Sequence, residues 1–119
     1  MAAALVDAWV SLGKLTVAAA GTVVRLTTNQ TDPTARLSVH SILIQAWPTN
    51  GGKVYILSSP TGDRTTGVDV LAILAVPATN IIPSASATVT YAPAAINAAS
   101  YWIDADENGD AVLASFIQA

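Results

Sequence analysis

The chain reads as an all-β domain: an antiparallel β-sandwich or a jelly-roll-like fold of about eight short strands, with little or no helix. Three observations point there. Short apolar runs are separated by clusters of Gly, Pro, Asn, Asp and Thr. Turn signals recur about every 8–12 residues, the spacing of sandwiches and small barrels. The run that fits a helix as well as a strand, Val68 to Val76, is under ten residues long, which favours strand.

The strands follow in order. Trp9 to Val17 is the first, with a break near Gly13. Thr22 to Thr28 is rich in β-branched residues, which suit a pleated surface. A polar loop from Thr27 to Thr34 separates it from Arg36 to Trp47, the longest candidate. Pro48-Thr49-Asn50-Gly51-Gly52 is a strong turn signal, and Lys53 to Ser58 returns from it. Residues 36–58 therefore read as a hairpin. Ser59 to Gly67 is a second polar loop. Val68 to Val76 fits a short helix or a buried strand, and Pro77 cuts it to a length that favours strand. Pro83 precedes Ser84 to Tyr91, which alternates small polar and apolar residues. Pro93 to Ser100 is Ala-rich and has room for one helical turn. Tyr101 to Ala105 and Ala111 to Ile117 read as a last hairpin across Asp106–Asp110.

With 119 residues the chain is a single domain by length. It is 52% hydrophobic and only 11% charged, against about 25% charged in an ordinary soluble domain. So little charge covers a free monomer poorly, and points to apolar surface shared with other chains. In Ser41-Ile42-Leu43-Ile44 and Ala111-Val112-Leu113-Ala114 both strand faces carry apolar residues. One face then lies in the core, and the other under a loop or a neighbouring subunit.

Charge and composition also exclude. The net charge is −3, and Lys14, Arg25, Arg36, Lys53 and Arg64 form no basic cluster of the kind nucleic acid needs. With no cysteine there is no disulfide, thiolate zinc site or cysteine nucleophile. Met1 to Ala20 is apolar but lacks the basic start of a secretory signal, and Asp7 and Lys14 interrupt it. It reads as an arm, residues 1–8, followed by the first strand. No run reaches the ~18 apolar residues of a membrane helix.

Five groups of residues are candidates for chemistry. Asp104, Asp106 and Asn108, with Gly109 following, match the start of a calcium loop. The pattern then fails, because Ser115 stands where the bidentate Glu belongs. Asn108-Gly109 reads instead as a type I′ hairpin turn. His40 lies between Ser38 and Ser41, but neither serine sits on a Gly-flanked elbow, and no second histidine or cysteine completes a metal site. Asp104 and Asp106 as an acid/base pair lack any sign of a sugar cleft. Trp9, Trp47 and Trp102 are candidate core and interface anchors. Gly51-Gly52-Lys53 lacks Walker spacing. The chain reads as a protein that binds or builds, not as an enzyme, and needs no cofactor.

Two segments carry a resemblance. Ser41-Ile42-Leu43-Ile44-Gln45-Ala46 followed by Asn50-Gly51-Gly52-Lys53-Val54-Tyr55, and Tyr101-Trp102-Ile103-Asp104-Ala105 with the Asn108-Gly109-Asp110 turn, resemble segments of small virion structural proteins of tailed bacteriophages. Within that group, length, acidity and Ala-rich β composition look most like capsid decoration (cement) proteins. The resemblance implies a protein made in the bacterial cytoplasm that binds the outside of the shell. Its partners would be the major capsid protein and its own copies, as dimer or trimer, with no nucleic acid or membrane. The arm at residues 1–8 would grip the shell. A neck, tail or fibre-base component is the alternative. A carbohydrate-binding sandwich, using the tryptophans and the Asp104 loop, is the reading from another class.

Overall fold

A computed structural model describes residues 9–76, 86–90 and 96–118, and for residues 9, 86–90 and 118 the backbone alone. The proposed arm at residues 1–8 lies outside the described residues. Nine strands form among the described residues: β1 (Trp9–Thr16), β2 (Val24–Arg25), β3 (Ser38–Ala46), β4 (Val54–Leu57), β5 (Val70–Leu74), β6 (Ser86–Thr90), β7 (Ile96–Asn97), β8 (Trp102–Ala105) and β9 (Ala111–Gln118). A 3-10 turn at Ala98–Ser100 is the helical piece expected in the Ala-rich segment, and Asn97 caps it by accepting from Ala99 N.

The strands make two antiparallel sheets. One has the order β1-β9-β3-β6, with β7 also paired to β3; the other has the order β2-β8-β4-β5. The pairing is nested. β1 joins β9, β2 joins β8, β3 joins β6 and β4 joins β5. A long two-stranded ribbon rolled over itself gives this pattern, which is the jelly-roll form of a sandwich.

This topology corrects both hairpins expected from the turn signals. β3 and β4 follow one another in the chain but lie in different sheets. So do β8 and β9. Asn108-Gly109 is likewise not a type I′ turn. Only Gly109 has a positive φ, +86°, as the third residue of a type II turn requires. The segment Thr22 to Thr28 keeps only Val24–Arg25 as strand.

The core fills the space between the sheets. Leu15, Ile42, Ile44, Val112 and Ala114 enter from one side, and Val54, Ile56, Leu74 and Ile103 from the other. Burying such side chains stabilises the fold by roughly 1.5–3 kcal/mol each. Outside the core, Leu43 is half-buried and Leu113 is 38% exposed. β4 is buried on both sides. Val54 and Ile56 join the core, while Leu57 lies beneath the chain's own 58–69 loop. A Cβ added at Gly62 would meet Leu57 Cδ2 at 3.3 Å.

Candidate functional site

The loops after β1, β3 and β8 meet at one end of the sandwich, and the aspartates of the 104–110 segment bind them together. Backbone bonds set the frame. Val17 N donates to Asp110 O and Gly109 N to Val17 O, both at 2.8 Å. Asp106 N donates to Lys53 O at 3.0 Å. Buried Asn50 acts as a substitute strand: its Nδ2 donates to Ala111 O and its Oδ1 accepts from Ala111 N, both at 2.8 Å.

The three residues of the calcium-like pattern have other tasks. Asp104 is 3% exposed. Its Oδ1 accepts from Gly21 N and Ala105 N, each at 2.8 Å. Its Oδ2 lies 3.3 Å from Arg64 Nε. Asp106 Oδ1 accepts from Tyr55 Oη at 3.0 Å and from an Arg64 guanidinium N–H at 2.8 Å. Asn108 Oδ1 accepts from Ala20 N at 2.8 Å. A hard cation needs several free oxygens converging on one point. Here those oxygens already accept from N–H, O–H and guanidinium donors. Among the described residues, no group of three or more His, Cys, Asp or Glu is placed to hold a metal.

Arg64 had no signal in the sequence. It comes from the loop that folds back over β4, and it crosses to β8 because Tyr55 and Asp104 are direct cross-strand partners on the outer face. Tyr55 is held above its ordinary phenol value, first by burial and then by its hydrogen bond to Asp106. Asp63, on the same loop, is held below the usual carboxylate range by hydrogen bonds from Thr65. Among the described residues every buried side-chain nitrogen and oxygen has a partner. The arrangement is a closed electrostatic clamp on three loops.

The tryptophans do not form one platform. Trp47 ends the β3 side of one sheet, with Lys14 Nζ 4.3 Å from its ring centre. Trp102 belongs to β8 of the other sheet, and Arg25 Cζ lies 4.7 Å from its ring centre. Arg25 is fixed there by register with Trp102 and by donating to the Ala99 carbonyl. Each half-buried ring is therefore covered by a cation on one face. Trp9 lies in β1, and its side chain is outside the described residues. His40 is a half-buried residue of β3. Ser38 Oγ accepts from Arg36 Nε at 3.0 Å.

A depression of about 200 Å³ lies beside the 27–37 loop, lined by Thr27, Gln30, Asp32, Arg36 and Leu37 among others. It falls below the roughly 300–1,000 Å³ of small-molecule pockets. Exposed large apolar side chains gather elsewhere among the described residues. Val68, Leu71, Ile73 and Val76, in and around β5, are each about half exposed. No helix among the described residues is long and apolar enough to cross a membrane. No protein-family model matches the chain, and a search of curated proteins finds no match.

Proposed function

We propose that the chain is a structural virion protein that binds the outer surface of a phage capsid and reinforces the shell, as decoration proteins do. The observation that carries this reading is the exposed apolar strip of Val68, Leu71, Ile73 and Val76 on a chain with only 11% charged residues. Such a surface calls for protein neighbours. The resemblance of residues 41–55 and 101–110 to small phage virion proteins supplies the kind of neighbour. The nested strand pairing supports it by analogy, since viral capsid domains use jelly rolls. Analogy of fold carries less weight than the surface. The closed Asp104–Arg64 clamp and the separated tryptophans count against a carbohydrate-binding module.

Cryo-electron microscopy of the particle that carries this chain is the test. Density for the domain on the capsid exterior, at symmetry-related positions and in many copies, is the expected result. Density confined to the tail vertex would replace the reading with a neck, tail or fibre-base component. No density on the particle would end the virion reading.

A further inference from the structure

The chain holds two Asn-Gly pairs, Asn50-Gly51 and Asn108-Gly109. This dipeptide is open to spontaneous deamidation, because glycine has no side chain to keep its nitrogen away from the asparagine side chain. The glycine nitrogen attacks Asn Cγ. A new N–C bond closes a five-membered succinimide, and the side-chain nitrogen leaves as ammonia. Water then adds to one of the two ring carbonyls and breaks its bond to the ring nitrogen. One opening leaves aspartate. The other leaves isoaspartate, whose main chain runs through the former side chain. The step needs an Asn side chain free to turn, a glycine N–H free to lose its proton, and water.

The fold treats the two pairs differently. Asn50 is 7% exposed. Its Nδ2 and Oδ1 are both bonded to Ala111 at 2.8 Å, and Gly51 N donates to the buried carboxylate of Asp110 at 3.0 Å. Turning the Asn50 side chain would strand the N–H and C=O of Ala111 in a buried place, and buried unpaired groups are costly. Asn108 and Gly109 are exposed. Both of their bonds run to one segment: Asn108 Oδ1 accepts from Ala20 N, and Gly109 N donates to Val17 O, at 2.8 Å each. Residues 18–22 are exposed or half-buried loop, so water takes over these bonds when the loop lifts. Exposed bonds of this kind open locally at far lower cost than the core.

We propose that Asn108 is a deamidation site, that the 18–22 loop guards it, and that the clamp protects Asn50. The product carries one more negative charge, next to Glu107 and near Asp106 and Asp110. Aspartate at 108 keeps an oxygen for Ala20 N. Isoaspartate lengthens the main chain between residues 107 and 109 by one methylene. The bonds to Val17 and Ala20 then no longer fit together, and the loop after β1 is loosened.

Tandem mass spectrometry of the full chain, incubated in mildly alkaline buffer, follows both sites in one sample. Unfolded in urea, Asn50 and Asn108 should react at comparable rates, since glycine follows each. In the native chain Asn108 should convert, more slowly than in urea, while Asn50 stays intact. A native chain that converts Asn50 as fast as Asn108 overturns the proposal. So does one that converts neither while the unfolded chain is consumed. Ala20→Pro tests the guard. Thr22 N donates to Ala19 O at 3.0 Å and Gly21 has φ +89°, so Ala20 is the second residue of a type II turn, where proline is favoured. The substitution keeps the turn and removes the N–H that holds Asn108. A neutral hydrogen bond contributes little, and its loss should speed conversion at Asn108 about two- to tenfold, with Asn50 unchanged. An unchanged rate at Asn108 removes the guard. If both sites speed up, the variant has lost its fold, and hydrogen exchange of the wild type decides. The Gly109 amide should then exchange faster than the Gly51 amide, each relative to its unfolded rate, and the reverse order overturns the proposal.

Discussion

Asp110 reaches across the end of the sandwich to the backbone of Gly52. Its Oδ2 accepts from Gly52 N at 2.8 Å, and its Oδ1 accepts from the neighbouring Gly51 N at 3.0 Å. The carboxylate is 6% exposed. It ties the β3–β4 connection to the β8–β9 connection, two crossings between the same two sheets.

Asp110→Asn should therefore destabilise more than a surface change. The amide keeps one acceptor but turns an NH₂ toward a backbone N–H, leaving two donors facing each other. Hydrogen bonds to charged groups contribute about 1.5–3 kcal/mol each, so a loss of about 2 kcal/mol is expected. The urea midpoint should fall with the m-value unchanged. A midpoint within error of the wild type would remove Asp110 from the clamp.

Gly51 and Gly52 are adjacent but differ in what a methyl group would meet. At Gly52 a Cβ falls 2.9 Å from Asp106 Cβ, an atom fixed to the backbone. At Gly51 it meets the carboxylate of Glu107, the free end of an exposed side chain. Gly52→Ala should cost about 1–3 kcal/mol, as overpacking does. Gly51→Ala should cost well under 1 kcal/mol, because Glu107 can swing away. Thermal melts of the two variants give the comparison directly.

The same end of the molecule separates what the sequence shows from what it conceals. Alternation and turn residues place β1, β3, β5 and β9 well, and Gly13 marks the irregularity in β1. Pro48–Gly52 and Asp106–Asp110 are also true chain reversals. Their local chemistry says that the chain turns; it does not say which strand accepts the hydrogen bonds afterwards. Both segments look like hairpin turns and are crossings between sheets. Arg64 was illegible for a related reason. Its partners Asp104 and Asp106 lie about 40 residues away, and only the fold-back of the 58–69 loop over Leu57 brings them together. In β3 and β9, where the apolar pattern suggested a cover over both faces, Leu43 is half-buried and Leu113 is 38% exposed; the strand that a loop of the same chain does cover is β4, at Leu57.

Arg64→Met tests that fold-back. Asp104 would keep its two backbone donors but lose the guanidinium facing Oδ2. Removing one partner of a buried pair costs about 3–5 kcal/mol. The Arg64 side chain is 23% exposed, so water relieves part of this, and about 1–3 kcal/mol is expected. Adding Asp104→Asn to Arg64→Met should recover part of the loss in a double-mutant cycle. Strictly additive losses would mean that the pair is not coupled.

Tyr55 predicts a response to alkali. Its folded-state value is raised above the ordinary 10.0, by burial first and by donation to Asp106 second. A raised value gives stability that is fully present below the unfolded value and is lost as pH rises through the folded value. Wild-type stability should thus decline above about pH 10 through this group. Tyr55→Phe should start about 1 kcal/mol lower at neutral pH, from the lost hydrogen bond. The gap should close as pH rises, since Phe has no proton to lose. Urea midpoints of both proteins across that range give the slopes, and parallel slopes would rule out Tyr55 as the cause.

Gly13 makes the last prediction, and it concerns backbone alone. It sits at the bulge where β1 changes register against β9, with φ +80°. The bulge is held from inside and outside: Gly13 N donates to Ser11 Oγ at 2.9 Å, and Asn29 Nδ2 donates to both Leu12 O and Lys14 O at 3.2 Å. A Cβ here would meet only Asn29 Nδ2, at an ordinary 3.7 Å. Space is therefore not the obstacle. The left-handed conformation costs an L-residue about 1–2 kcal/mol, and Asn tolerates it better than other residues. Gly13→Ala should lose about that amount, Gly13→Asn clearly less, and Gly13→Val more, because branching at Cβ adds strain. Denaturation midpoints should follow the order Gly, Asn, Ala, Val. An order that follows side-chain volume, with Ala milder than Asn, would place the constraint in packing against Asn29 and not in the sign of φ.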